Sequence, residues 1–235
     1  YAVLLALVMG VGCGDGKEKA APKTDATPKA KVKAVPKVEA KKTESPTVAP
    51  SKLIANPSVE RKIRGQIGKP KGELTNADLE KVTKLRLYDN QLTDVKGLEK
   101  LTQLRELSLQ NNRLTDVKGL EKLTQLRELS LENNRLTDVT GLEKLAQLKG
   151  LNLYDNKLTD VKGLEKLTQL EDLRLQNNRL TDVKGLENLT HLDELHLSGN
   201  QLTDVKGLEK FTQLRELRLN GNKLTDVTGL EKLMQ

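Results

Sequence analysis

Apolar residues recur over residues 82–235 in one fixed grouping, which in a single copy reads Leu92, Val95, Leu98, Leu101, Leu104, Leu107 and Leu109. The grouping returns every 22 residues, and with it an asparagine, at Asn90, Asn112, Asn134, Asn156, Asn178, Asn200 and Asn222. A period of two elevens would also suit a right-handed coiled coil. On a helix, however, Leu107 and Leu109 would point roughly 200° apart, and the Asn111-Asn112 and Gly97 columns would interrupt it in every copy. Leu-x-Leu alternation instead predicts a short strand per copy, with leucines facing a core and alternate residues facing solvent. In-register copies predict a solenoid in which each copy packs on its neighbours. A lone copy buries too little apolar surface to offset the entropy of ordering it, so the leucine layers fold only when stacked.

Ahead of the repeats the pattern changes. Val59, Ile63 and Ile67 fall four apart after Asn56-Pro57-Ser58, one face of a short helix that Gly68 and Pro70 close. Thr75 and Asp78 stand three apart before Leu79, a capping-box start for a second turn. Residues 56–81 are therefore expected to cap the open end of the first repeat, whose leucine layer is otherwise exposed. Residues 14–55 are rich in Lys, Ala, Pro, Thr and Val and hold five of the seven prolines. Such a segment cannot bury a core and is expected to be an extended, disordered tether.

The pattern LxxLxLxxNxL followed by TDVKGLEKLTQ resembles the short 22-residue class of leucine-rich repeat found in bacterial internalin-like proteins, over Val82 to Gln235. The resemblance implies an α/β fold: a right-handed leucine-rich-repeat solenoid with a parallel β-sheet on the concave face and short 3-10 or irregular turns on the convex face. Where that class often carries proline ahead of the convex leucine, this chain has glycine, from Gly97 through Gly229. That difference predicts looser convex turns.

In residues 1–13, the apolar run Ala2 to Val11 is too short to span a bilayer and ends in small residues before Cys13, the chain's single cysteine. This predicts the apolar part of a signal peptide, and hence export. The surroundings of Cys13 resemble the lipobox of bacterial lipoproteins, with Gly10 standing where that motif prefers an aliphatic residue. The resemblance implies a lipidated Cys13 and a membrane-anchored protein of the bacterial cell envelope; ordinary cleavage at Gly12 remains the alternative. The chain begins at Tyr1 and stops one repeat position before a leucine. It is expected to lack the start of its signal and a C-terminal cap.

The formal charge of +7 changes this picture little. Residues 14–52 carry ten lysines against five acids, so most of the excess lies in the tail and the repeats are nearly neutral with no basic stripe. Nucleic-acid binding is not expected. Neither is a cofactor or a metal: there is no zinc-type ligand spacing, no glycine-rich phosphate loop, and no repeat with the clustered oxygens that calcium needs. No hydroxyl, histidine and carboxylate fall in a pattern that supports a triad, so the chain is expected to be a monomeric non-enzyme. The recurrent polar residues are expected to be structural. The asparagines should form an amide ladder to the bend and the next repeat, and the Thr-Asp pairs, Thr93-Asp94 through Thr225-Asp226, should cap the convex turns.

Function should then lie where the copies differ, on the solvent-facing strand positions. The first column reads Lys84, Glu106, Glu128, Gly150, Asp172, Glu194, Glu216; the second Arg86, Ser108, Ser130, Asn152, Arg174, His196, Arg218; the third Tyr88, Gln110, Glu132, Tyr154, Gln176, Ser198, Asn220. The acidic first column is expected to be neutralised by Arg105, Arg127 and Arg215 beside it, or to attract a basic partner. His191 replaces a recurrent glutamine and reads as neutral. Tyr88 and Tyr154 share one column in a chain with three tyrosines and one phenylalanine. The candidate ligand-binding set is Arg86, Tyr88, Asn152, Tyr154, Arg174, His196 and Arg218, facing a protein partner. Two alternatives are a spacer without a ligand and the recognition arm of a longer protein.

Overall fold

The computed structural model describes residues 4–6 and 52–233. Cys13 and nearly all of the expected tether fall outside the described residues.

Each Leu-x-Leu segment forms a three-residue strand: β2 (Lys84–Arg86), β3 (Glu106–Ser108), β4 (Glu128–Ser130), β5 (Gly150–Asn152), β6 (Asp172–Arg174), β7 (Glu194–His196) and β8 (Glu216–Arg218). A further strand, β1 (Leu4–Ala6), lies parallel beside β8. The repeat strands pair parallel in sequence order, each residue opposite its counterpart one copy on, as Leu107 opposite Leu129 and Leu129 opposite Leu151. A register slip would turn every leucine outward, so the buried face fixes it. The seven apolar positions of the copy beginning at Leu92 are all buried, and they join one core running the length of the stack.

The asparagine column holds the copies together. Asn134 Oδ1 accepts from Leu114 N at 3.0 Å, and its Nδ2 donates to Leu109 O at 3.0 Å and Leu131 O at 2.9 Å. Asn112, Asn156, Asn178, Asn200 and Asn222 repeat this set. The ladder therefore reaches back to the preceding repeat, where the sequence pattern predicted the following one. The residue ahead of each ladder asparagine adopts a left-handed conformation, at Asn111, Asn133, Asp155, Asn177, Gly199 and Gly221. Asn, Asp and Gly are the residue types that tolerate it.

Five of the seven convex segments form short 3-10 turns, while those after Gly163 and Gly185 are irregular turns. Short 3-10 turns occupy Leu98–Lys100, Leu120–Lys122, Leu142–Lys144, Leu208–Lys210 and Leu230–Leu233. The preceding glycine needs a positive φ: Gly163 has φ 93°, and a Cβ there would meet Val139 O at 2.7 Å. Two carboxylates then close each turn. Asp94 Oδ1 accepts from Lys96 N at 3.0 Å, and Glu99 Oε2 accepts from Gly97 N at 2.6 Å, a pattern repeated down the stack. The glutamate contribution has no counterpart in the sequence expectation.

At the N-terminal end, α1 (Pro57–Ile67) starts at Asn56, whose side chain accepts from Ser58 N and Val59 N, and ends at left-handed Gly68. It buries Val59 and Ile63 against the first repeat's core. The single turn α2 (Asn76–Leu79) carries a complete capping box between Thr75 and Asp78. Lys69 Nζ sits 2.6 Å from Asp78, and with the Thr75 donors it holds that carboxyl far below the usual range. The packed region begins earlier than composition predicted. Ile54, assigned to the tether, is buried beside Gly97, and Leu53 O accepts from Lys100 Nζ at 2.8 Å. One apolar pair inside a long polar window does not change that window's average, yet it suffices to cover the first convex turn.

Candidate functional site

The sheet's solvent face presents the first two columns in the register that the 22-residue period sets, so Lys84, Glu106, Glu128, Gly150, Asp172, Glu194 and Glu216 stand side by side. A shallow groove of about 300 Å³ runs over β2 to β6, lined by Arg86, Ser108, Gln110, Asn152 and Arg174 together with Glu106, Glu128 and Asp172 of the acidic column.

Neutralisation of the acidic column comes from across the same face. Lys84 Nζ lies 2.5 Å from Glu106, Arg174 Nη2 lies 3.0 Å from Asp172 and 3.7 Å from Glu194, and Arg218 Nε pairs with Glu216. Arg215, expected to serve the column, pairs with Asp193 at 2.7 Å. Residues two apart along a strand share a face, whereas residues one apart do not, which is why the second column supplies Arg174 and Arg218, while Lys84 serves Glu106 from within the first column.

Glu128 is treated differently. Its carboxylate leans over Gly150, into the space where a Cβ would collide with it. Burial raises its pKa, and the charges of Asp172, Glu106 and Glu171 add to the effect, with Lys149 only partly opposing them. A raised carboxyl pKa means that the folded chain holds this proton more tightly than the unfolded chain. Stability is therefore lost as pH rises through the folded value. Glu128→Gln is accordingly expected to raise the urea midpoint slightly at neutral pH, with the difference vanishing below about pH 4. A midpoint that falls at neutral pH would contradict the assignment.

The candidate residues differ in their surroundings. Tyr88 is 48% exposed with Lys62 Nζ 5.7 Å from its ring centre, a cation over an aromatic face. Tyr154 is half-buried, and its hydroxyl accepts from Asn177 Nδ2 at 3.2 Å. Asn152 is tied to Glu132 Oε2 at 2.9 Å, while Arg86 and Arg218 are exposed. His196 departs from the expectation of a solvent-facing group, being 4% exposed. It sits between Arg174 and Arg218 in the pairing register, and their long side chains flank it. Its pKa is lowered, mainly by burial and then by Arg218. His191 is exposed, with Nδ1 3.0 Å from Thr168 O. Sequence reading placed Glu128 and Gln176 in the solvent-facing columns without singling either out; the missing side chain at Gly150 and the histidine in the copy after Gln176 are the signals that point to them.

Among the described residues, no helix is long and apolar enough to cross a membrane.

Residues 80–122, 102–144, 146–189 and 190–232 match the family described as Leucine Rich repeats (2 copies). Among solved structures the chain is similar to an internalin (InlF) of Listeria monocytogenes, 27% identical with a TM-score of 0.64, over 80% of this chain and 64% of that one. It is similar to internalin C2 of the same organism at 29% identity and TM-score 0.63, over 77% of this chain and 91% of that one. A leucine-rich-repeat protein of Leptospira interrogans is 34% identical with a TM-score of 0.64, over 68% of this chain and 43% of that one. The chain thus spans just under two thirds of InlF and less than half of the Leptospira protein. Comparison with curated proteins finds no match.

Proposed function

We propose, from the premise that this chain belongs to the leucine-rich-repeat family, that it is a non-enzymatic protein that binds another protein across the concave face of its sheet. One observation carries the reading: the copies hold their inward leucines and ladder asparagines nearly constant while the solvent-facing columns change from copy to copy. Packing requires the first and leaves the second free, so variation confined to the second column and its neighbours is what a specific contact surface looks like. Tyr88 and Tyr154 serve as anchors, Arg86, Asn152, Arg174 and Arg218 as polar contacts, and His196 supports them from beneath. Glu128, the carboxylate of the column pushed toward its neutral form, favours a basic group on the partner, which would restore its charge.

A photo-cross-linking residue placed at Tyr88 or Tyr154, in cells that produce the protein, is expected to give an adduct of defined mass. The same residue at Lys118 on the convex side is expected to give none. Adducts from position 118 alone would place the partner on the other face. Their absence from every position favours the spacer reading, which the near-identity of residues 101–122 and 123–144 also supports.

The proposal extends to location. An apolar run ending at Cys13 suits export and lipid anchorage at the bacterial envelope, and the Lys-rich segment that follows suits a tether. A fatty-acid analogue is expected to label the chain and to be lost from Cys13→Ser; equal labelling and membrane association of the two would exclude Cys13 as the anchor.

A further inference from the structure

We infer that Glu194, His196 and Glu216 form a binding site for one divalent transition cation of the zinc class on the sheet face between β7 and β8. One donor atom from each of the three residues lies within 4.8 Å of the others, close enough for all three to reach a shared ion. The site is assembled by the solenoid: Glu194 and His196 are two apart on one strand, and Glu216 stands opposite Glu194 in the pairing register. No linear ligand motif contains that combination, and for this reason sequence spacing predicted no metal.

Acidic neighbours alone would be unremarked on such a face, and His196 is what distinguishes these. It is 4% exposed, and its Nε2 is buried without a hydrogen bond to any described residue while lying 3.3 Å from Glu216 Oε1. A buried imidazole nitrogen left in this way costs free energy unless something binds it. The other ring nitrogen, Nδ1, lies 3.0 Å from the Gln176 side-chain amide, and the Gln176 Oε1 is itself buried without a partner. Amide orientation is an assignment of hydrogen-bond networks. With the amide turned over, Gln176 Oε1 accepts from Nδ1–H and the Nε2 lone pair faces two carboxylates. A cation held among them would satisfy that lone pair and both carboxylates at once, and metal-binding histidines are commonly oriented in this way by the group behind them. Burial also keeps the ring neutral, the form that binds metal.

One imidazole and two carboxylates suit zinc better than calcium or magnesium, which favour all-oxygen shells. Arg218 is the competitor, because it occupies Glu216 in the ion's absence; Arg174 holds Asp172 and reaches Glu194 from the other side. Binding exchanges the Arg218 contact for the ion, and removal of that guanidinium should tighten the site.

The experiment is titration of the full chain with Zn2+ by calorimetry, with Co2+ as a visible-absorption reporter of nitrogen and oxygen ligation. One ion per chain is expected. Affinity should fall on the order of 100-fold in His196→Gln and roughly 10- to 100-fold in Gln176→Leu, rise in Arg218→Met, and stay unchanged in Cys13→Ser and His191→Ala. A urea midpoint for His196→Gln close to that of the parent establishes that the loss is not unfolding. Failure of the parent to bind Zn2+, equal affinity in His196→Gln, or loss of binding in Cys13→Ser would each overturn the assignment.

Discussion

Asn156→Ala is expected to destabilise the chain by about 3 kcal/mol, as a ladder amide whose loss leaves several buried backbone groups unpaired. Its Oδ1 accepts from Leu136 N at 3.0 Å, and its Nδ2 donates to Leu131 O at 3.0 Å, Leu153 O at 3.2 Å and Tyr154 O at 3.3 Å. The residue is 6% exposed, so water cannot replace those contacts without opening the bend. Each buried backbone group left unpaired costs about 1 to 3 kcal/mol, partly recovered by relaxation. Asn152→Ala is the control. It lies four residues earlier on the half-exposed sheet face and is expected to change stability by less than about 1 kcal/mol. Urea denaturation of both variants checks the contrast; coincident midpoints would show that the ladder does not hold the repeats together. Because the amide reaches to the preceding copy, the loss should also appear as faster hydrogen exchange at Leu136 N, one repeat away.

The solenoid was legible because its signals are local and repeated. Leu107 and Leu109 flank a solvent-facing Ser108, and the 22-residue return fixes which residues become neighbours, so the two strand columns could be written down before any coordinates. The glycine column was visible too, but its meaning was not. That Gly163 closes a turn at positive φ, with Glu165 Oε2 accepting from its N–H at 2.8 Å, depends on a side chain folding back on its own backbone. The candidate face was legible as a list and not as an electrostatic surface. Which cation serves which carboxylate depends on rotamers, and Arg174 chose Asp172 while Arg215 chose Asp193. His196 shows the same limit. Its position on the open face predicted exposure, whereas in the fold it is buried, at the register position between Arg174 and Arg218. At the other end, Ile54 was hidden by the composition of the segment around it.

The double substitution Tyr88→Ala with Tyr154→Ala is expected to weaken partner binding by about 4 kcal/mol, close to 1000-fold, since interface tyrosine anchors each contribute about 2 kcal/mol or more. The two rings stand three copies apart, roughly 14 Å along the stack at parallel-strand spacing, a span that one small partner domain covers. Neither ring belongs to the leucine core, so the fold should survive their loss: Tyr88 is 48% exposed, and Tyr154 gives up one surface hydrogen bond from Asn177. The decisive measurement is the Kd of the cross-linked partner, once identified, for the parent chain, for this double variant, and for Lys118→Ala on the convex side. The concave-face account predicts binding lost in the double variant and unchanged in Lys118→Ala. Binding that survives loss of both tyrosines and fails on the convex substitution would contradict it.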